Sequence, residues 1–452
     1  MKKKEYPMRK MSVVALVAAA SGMCIQALAA HCDEIAAARD RFAAQRFGIF
    51  LHWGIYSNYA RGEWYLQKNH MLEADYAKMV HGFYPSKFDA RLWVKRFKDA
   101  GARYVTMTAR HHDGFSMWPS RAGAGYCIAD TPYGRDVVGE LAKACRESSL
   151  QFNLYYSLMD WHHPNYPVGR EWRARITLKS RNENYALYKK FMMEQLTEIL
   201  DAYHPGVIWL DGEWDHDPKH SHIAFPIDWE FDDIYELIHS KGALVANNHH
   251  NDIRETEDIQ IFEGYLPGEK NGTGLAEAES VSKSKPLEQC DTIQTGAWGW
   301  KVEGFGTEYK GAEEVVAMVA RAAGIGVNLL LNIGPCADGD FPDKTVRTLE
   351  GVGAWFAANG ESIYSTSAGE VSTGSDVVST RRGDVLYVHF LNDKARMVAF
   401  RQDGEVVSAT ALHTGAGVEV ERTADGCIVL HAPDPIGNDL DRVVKVITRK
   451  RR

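Results

Sequence analysis

The chain has 452 residues, 45% of them hydrophobic and 25% charged, with a formal net charge of -8 at pH 7. This composition excludes a disordered or fibrous protein and allows two or three domains, although an α/β barrel can use most of such a length as one. The acidic balance argues against nucleic acid and anionic membranes as partners.

At the N-terminus, Lys2, Lys3, Lys4, Arg9 and Lys10 precede the apolar run "MSVVALVAAASGMCIQALAA", which closes on the small-residue pattern Ala27-Leu28-Ala29. Residues 1–30 therefore read as a secretory signal peptide. An uncleaved anchor is the alternative for about 20 apolar residues, but the alanine-rich run and its cleavage-like end favour processing. The mature chain is expected in the periplasm or outside the cell, without membrane insertion. Loss of the leader removes five positive charges and one negative, and the net charge becomes -12. The remaining cysteines, Cys32, Cys127, Cys145, Cys290, Cys336 and Cys427, are scattered and form no CxxC, so neither a zinc site nor a disulfide scaffold is signalled.

Beyond the leader, apolar runs of strand length alternate with amphipathic stretches of helix length. Strands are predicted at 47–53, 103–109, 152–158, 207–212, 244–248, 258–263 and 327–335, with "TGAWGW" (295–300) as a possible eighth. Helical patterns lie between them, as in "DARLWVKRFKDAG", "DVVGELAKACRES", "YALYKKFMMEQLTEILDAY" and "AEEVVAMVARAAG". Alternation of this kind means parallel strands and crossover helices, and the unbroken apolarity of the runs means a sheet covered on both faces. The strand count, without a Gly-rich phosphate loop after the first strand, favours a (β/α)8-type barrel over 31–365. "GAWFAANGESIY" (353–364) reads as the last barrel helix, and short period-two strands then predict an antiparallel β domain over 368–452.

Barrel enzymes place their chemistry at the C-terminal ends of the strands. Those ends carry His52, His111-His112-Asp113, Asp160, Asp211, Asn247-Asn248, Glu263 and Asn332. One polar residue leaving a buried strand often caps the next helix; so many on one rim point to a site. No G-x-S-x-G elbow supports acyl transfer, and no H-x-H or H-E-x-x-H spacing supports a metal. His111 and His112, adjacent in a strand extension, are expected to point in opposed directions. What remains is a set of carboxylates with Trp53, Trp64, Trp118, Trp161, Trp209, Trp214, Trp298 and Trp300 near strand ends. Aromatic faces backed by acids, imidazoles and amides suit a sugar; for Trp209, in mid-strand, core packing is the preferred reading.

The motifs "FGIFLHWGIYS", "GEWY", "AGARYVTMTARHHDGFSMW", "LYYSLMDW", "VIWLDGEW" and "GVNLLLNIGPCADGDFP" resemble, in order and spacing over about residues 42–365, the α-L-fucosidases of glycoside hydrolase family 29. The resemblance implies a barrel followed by a C-terminal β-sandwich, no metal or other cofactor, and a retaining double displacement on fucosylated oligosaccharides or glycoconjugates. It makes Asp211 of "WLDG" the nucleophile and Glu263 the acid/base, with Glu288 in "PLEQC" as the main rival and Glu213 and Glu269 behind it. His52, Glu63, His111 and His112 match fucose-hydroxyl ligands. Tyr155 matches a pocket-wall tyrosine, with Tyr156 as its alternate, and Trp298 stands where an aromatic meets the C5 methyl. "NNHHNDIRETED" departs from the related "NDRWG", so Arg254 is given no sugar contact. A retaining hydrolase of another sugar, such as an α-galactoside, and an inactive sugar-binding barrel are the competing readings; linkage and oligomeric state are not signalled.

Overall fold

The computed structural model describes residues 33–167, 184–216, 227–248, 253–269, 281–374, 376–402, 404–434 and 440–449. The predicted leader thus lies outside the described residues, as do residues 270–280. Eight parallel strands form one sheet: β1 Phe47–Leu51, β2 Tyr104–Arg110, β3 Gln151–Ser157, β4 Val207–Asp211, β5 Leu244–Asn248, β6 Gln260–Glu263, β7 Leu287–Thr292 and β8 Val327–Ile333. Their order, β5-β4-β3-β2-β1-β8-β7-β6, wraps the sheet into a barrel whose ends meet at β5 and β6.

The crossover helices α1 Ala90–Asp99, α2 Val137–Glu147, α3 Tyr185–Tyr203 and α5 Ala312–Gly324 fall where the amphipathic patterns predict; α4 Phe231–Ser240 and α6 Asp343–Asn359 join them. Asp89, Asp136 and Asn184 start the first three, each accepting backbone N–H bonds from the opening turn, which satisfies donors a helix start otherwise leaves open. The 353–364 pattern is only the end of α6, which begins ten residues earlier. No helix of the described residues is long and apolar enough to cross a membrane.

One strand was expected in the wrong place. Residues 295–300 form turns, and the missing strand is β7, "LEQCDT", paired with both β6 and β8. Its sequence hides it because its interior face carries Glu288 rather than an aliphatic residue. Glu288 accepts from Tyr104 Oη at 2.7 Å and Trp209 Nε1 at 3.1 Å, partners brought from β2 and β4. Gly48 leaves the room: a Cβ there would lie 2.4 Å from the Tyr104 ring.

The barrel closes over one weak seam. Between β5 and β6 only a single bridge, Ala246↔Ile259, completes the ladder. Asp258 occupies the seam with its side chain fully buried, accepting from the Val245 N–H at 2.7 Å, from Arg39 Nε at 2.8 Å and pairing with His239 Nε2 at 2.7 Å. Arg39 belongs to the helix at 33–43, whose Ile35, Ala38 and Phe42 pack against the interior aromatic cluster.

After α6 the chain builds two antiparallel sheets. One has five strands, β9 Ser367–Ala368, β10 Val377–Arg382, β11 Val385–Phe390, β13 Glu405–Ala411 and β16 Arg442–Arg449; the other has three, β12 Met397–Phe400, β14 Val420–Arg422 and β15 Ile428–His431. Leu386, Val388, Phe390, Val444 and Val446 of the first pack against Val398, Phe400, Ile428 and Leu430 of the second in a sandwich core. The Trp355 Nε1 donates to the Asp441 carbonyl at 3.1 Å, tying α6 to this layer.

Burial works to raise the Asp258 pKa, but His239, the Val245 N–H and Arg39 outweigh it and hold the carboxyl below its ordinary range. Stability from such a group is present above its unfolded pKa, about 3.9, and is lost as pH falls through the lower folded value. Asp258→Asn is therefore expected to cost about 2–3 kcal/mol at pH 7. In urea titrations the gap to wild type should narrow as the pH falls from about 5 through the unfolded pKa of about 3.9 and on through the lower folded value; a gap that stays constant with pH would show that the charge is not what holds the seam.

Candidate active site

The parallel register sets every strand's C-terminal end at one mouth. Asp211, the last residue of β4, pairs in register with Ser157 of β3 and Asn248 of β5. Glu263 ends β6, and His52 and His111-His112 follow β1 and β2.

Asp211 is nearly buried, at 9% exposure. Its Oδ2 accepts from Tyr155 Oη at 2.8 Å; its Oδ1 accepts from the Gly212 N–H at 2.8 Å, Trp214 Nε1 at 3.3 Å and Asn248 Nδ2 at 3.4 Å. Gly212 makes this wrap possible, because its φ of +89° is a conformation that side chains disfavour and a Cβ would press on Met159 at 2.8 Å. The "DG" pair thus folds the chain back over its own carboxylate. Donors so arranged favour the charged form of a carboxylate.

Glu263 accepts from Asn248 Nδ2 at 2.6 Å through Oε2. One amide nitrogen therefore touches both carboxyls, and Asp211 Oδ1 and Glu263 Oε2 cannot be more than about 6 Å apart, the two contacts laid end to end. Burial pushes the Glu263 pKa upward, Asn248 opposes it, and Glu63 and Asp291 add to the rise. The two carboxyls share one mouth in unlike environments.

Three imidazoles line the same mouth. His52 Nδ1 meets Asn332 Oδ1 at 2.7 Å, while Asn332 Nδ2 donates to the Trp298 carbonyl at 2.7 Å. Since that amide oxygen can only accept, His52 Nδ1 carries the proton and Nε2 is left as an acceptor. The Ser157 hydroxyl donates to the Met159 carbonyl at 2.6 Å and so accepts from His112 Nδ1 at 2.7 Å. His112 Nε2 is again an acceptor, 3.6 Å from Asp211 Oδ2. Burial lowers the pKa of His52 and of His112 to about 3 and that of His111 well below its usual value, so all three stay neutral. His111 stacks on Tyr155 with centroids 5.4 Å apart, and its ring centroid lies 4.2 Å from that of His112. The expected opposition of the two histidines is thus corrected: β2 ends at Arg110 after a register shift, residues 111–114 turn, and strand alternation no longer applies.

Glu63 accepts from the Trp298 and Gly299 N–H groups at 2.9 and 2.7 Å, and burial raises its pKa. It thereby fixes the loop that brings Trp298 against Phe50, at 6.2 Å, and His52, at 5.3 Å. Tyr155 is the inward tyrosine, between His111 and Trp209; Tyr156 faces outward, hydrogen-bonded to Gln195. Trp209 packs in the interior, as its mid-strand position predicts.

The rival carboxyls are employed elsewhere. Glu288 pairs in register with Ile261, two residues before Glu263, and so lies one interior layer below the mouth. Burial takes its pKa to about 7 against the pull of Tyr104 and Trp209. Glu213 is held by both Arg254 guanidinium nitrogens at 3.0 Å and by Asn247 at 3.1 Å. Exposed Glu269 caps the Leu266 N–H at 3.0 Å. Asp113 takes the Tyr76 hydroxyl at 2.7 Å, and Asp160 takes Arg110 at 2.9 Å; both brace the turns behind the histidines. Of the tryptophans, Trp53, Trp118 and Trp161 are core, whereas Trp64 and Trp214 stack at 5.8 Å beside His112. Sequence reasoning placed Asn248 at a strand end without a role; its position opposite the "WLDG" aspartate in adjacent strands was the available signal.

A family model described as alpha-L-fucosidase matches residues 18–361. Alpha-L-fucosidase of Branchiostoma floridae is 30% identical over 376 residues, which cover 77% of each chain. Tissue alpha-L-fucosidase of Homo sapiens is 28% identical over 370 residues, 78% of this chain and 75% of its own. The solved alpha-L-fucosidase isoenzyme 1 from Paenibacillus thiaminolyticus matches with a TM-score of 0.77 at 28% identity, covering 92% of this chain and all of that one. A mouth of paired carboxyls, neutral imidazoles and aromatic faces on an eight-stranded barrel accords with these likenesses, and the chain belongs to the α-L-fucosidase family of glycoside hydrolases.

Proposed function

We propose that the protein is an exported, exo-acting α-L-fucosidase that releases terminal α-linked L-fucose from oligosaccharides or glycoconjugates with retention of configuration. The observation that carries this reading is the shared contact of Asn248, which keeps the Asp211 and Glu263 oxygens within about 6 Å. Retaining glycosidases hold their carboxyls about 5–5.5 Å apart, whereas inverting ones leave about 6.5–9.5 Å for a water. Export rests on the charge and apolar pattern of residues 1–30. The cell fraction in which the protein is found, with the N-terminal residue it carries there, tests that part.

In the first step Asp211 attacks the anomeric carbon, the glycosidic C–O bond breaks, and Glu263 gives its proton to the departing oxygen. In the second, water loses a proton to Glu263 and attacks the same carbon, and the bond to Asp211 breaks. The acceptor nitrogens of His52 and His112 suit sugar hydroxyls that donate. Phe50, Tyr155 and Trp298 form the apolar side, where the C5 methyl of fucose would lie. A hydroxymethyl in its place would have to be buried against aromatic faces, which disfavours an α-galactoside.

Asp211→Asn is expected to lower kcat on an aryl α-fucoside by more than about a hundredfold with the fold intact by circular dichroism. A variant retaining more than that removes Asp211 from the nucleophile role. Glu263→Ala should slow poor leaving groups far more than activated ones, and added azide should restore turnover with α-fucosyl azide as product, since two displacements retain configuration. If Glu288→Ala shows that pattern instead, the acid/base moves to Glu288. Trp298→Ala should lower kcat/KM for the fucoside about 10- to 100-fold and narrow its advantage over the matching galactoside; an unchanged ratio of the two would separate Trp298 from methyl recognition.

A further inference from the structure

Asn248 ends β5 between the strands that carry the two carboxyls, and its side-chain nitrogen lies 2.6 Å from Glu263 Oε2 and 3.4 Å from Asp211 Oδ1. An amide nitrogen has two hydrogens and no capacity to accept, so each carboxyl can take one. We propose that Asn248 is a positioning residue of the reaction, which confines the Glu263 proton to Oε1 and strengthens its hold on Glu263 as that proton leaves. This rests on the assignment of Asp211 as nucleophile and Glu263 as acid/base.

An N–H directed at Oε2 from 2.6 Å is accepted better by a carbonyl oxygen than by a protonated one, which favours the acidic hydrogen on the other oxygen. During the first step Asp211 loses its charge to the bond with the anomeric carbon, and Glu263 acquires charge by giving up its proton. Hydrogen bonds to an ionised acceptor are stronger than those to a neutral one. Asn248 already stands closer to Glu263, the group that becomes charged, than to Asp211, the group that is neutralised. Its contact is thus better matched to the transition state than to the resting enzyme, which is the condition for accelerating the step.

Glu63, behind β1, and Asp291, on β7, disfavour the charge of Glu263, although Asp291 is paired with Lys310 Nζ at 3.0 Å. Tyr155 of β3 and Cys290 of β7 are near enough to feel the carboxylate, and burial holds both in their protonated forms. Arg254 is bound to Glu213 and Glu257. Asn248, by contrast, favours the ionised form of Glu263.

The test is the pH dependence of kcat/KM for an aryl α-fucoside in the full-length protein. The basic limb reports the acid of the free enzyme. In Asn248→Ala it should move up by about one pH unit, and in Asn248→Leu, close in shape but with no donor and no charge, it should move the same way. A substrate with an electron-rich leaving group should lose about tenfold more rate than α-fucosyl fluoride, which needs little protonation. A residue that only packs would lower both rates alike and leave the limb in place, and that result would overturn the proposal. Glu263→Gln separates the two layers of the argument. A limb that persists there overturns the acid assignment itself, whereas a limb lost there but unmoved in both Asn248 variants overturns only the role of the amide.

Discussion

The spacing of Asp211 and Glu263 depends on how the barrel closes. These residues end β4 and β6, and the strand between them, β5, has a full ladder to β4 but only one bridge to β6. Asp258 makes up the deficit, binding the Val245 backbone, α4 through His239 and the N-terminal helix through Arg39. A charge buried on every side is tolerated only because each partner neutralises or hydrogen-bonds it. Five residues further along the chain, at the end of β6, stands Glu263, so the seam that Asp258 fixes is also the ruler for the two carboxyls.

Around that pair the protein separates charge states by environment. Asp211 gathers donors from Tyr155, Gly212, Trp214 and Asn248, whereas Glu263 is desolvated and faces two further acids. The two carboxyls thus sit in unlike surroundings at one mouth. The imidazoles follow the opposite rule. Asn332 and Ser157 orient His52 and His112, and burial keeps both neutral, so each offers a lone pair rather than a charge. A neutral sugar asks for this kind of surface, with directional acceptors and no net charge to desolvate.

A second consequence concerns what lies beneath the mouth. Glu288, Tyr104 and Trp209 form a polar layer inside the barrel, with Gly48 yielding the space for the tyrosine ring. Trp209 stacks in turn on Tyr155, at 5.5 Å, and the Tyr155 hydroxyl reaches Asp211. Glu288, the rival carboxyl in the sequence, thus supports the aromatic wall one interior layer below Asp211 and Glu263.

Most of the architecture was legible in the residues alone. Continuous apolar runs such as "VIWLDG" and "VNLLLNIGP" mark strands covered on both faces, and helix starts are signed by Asp89, Asp136 and Asn184. Local physics suffices there, because hydrophobic period and capping are properties of neighbouring residues. The placement of polar residues at strand ends was equally readable, and it located Asp211, Glu263, His52 and the 111–112 pair. Three things were decided only by distant contacts. Strand β7 is polar in sequence and exists because Glu288 finds donors on β2 and β4. The two histidines face one mouth because the chain leaves the strand at Arg110. Asn248 meets both carboxyls because β4, β5 and β6 are neighbours in a closed sheet, a relation between segments up to 52 residues apart. Sequence determined which groups are available and on which elements; the closure of the barrel determined which of them touch, since hydrogen bonds act over about 3 Å and no local pattern encodes that distance.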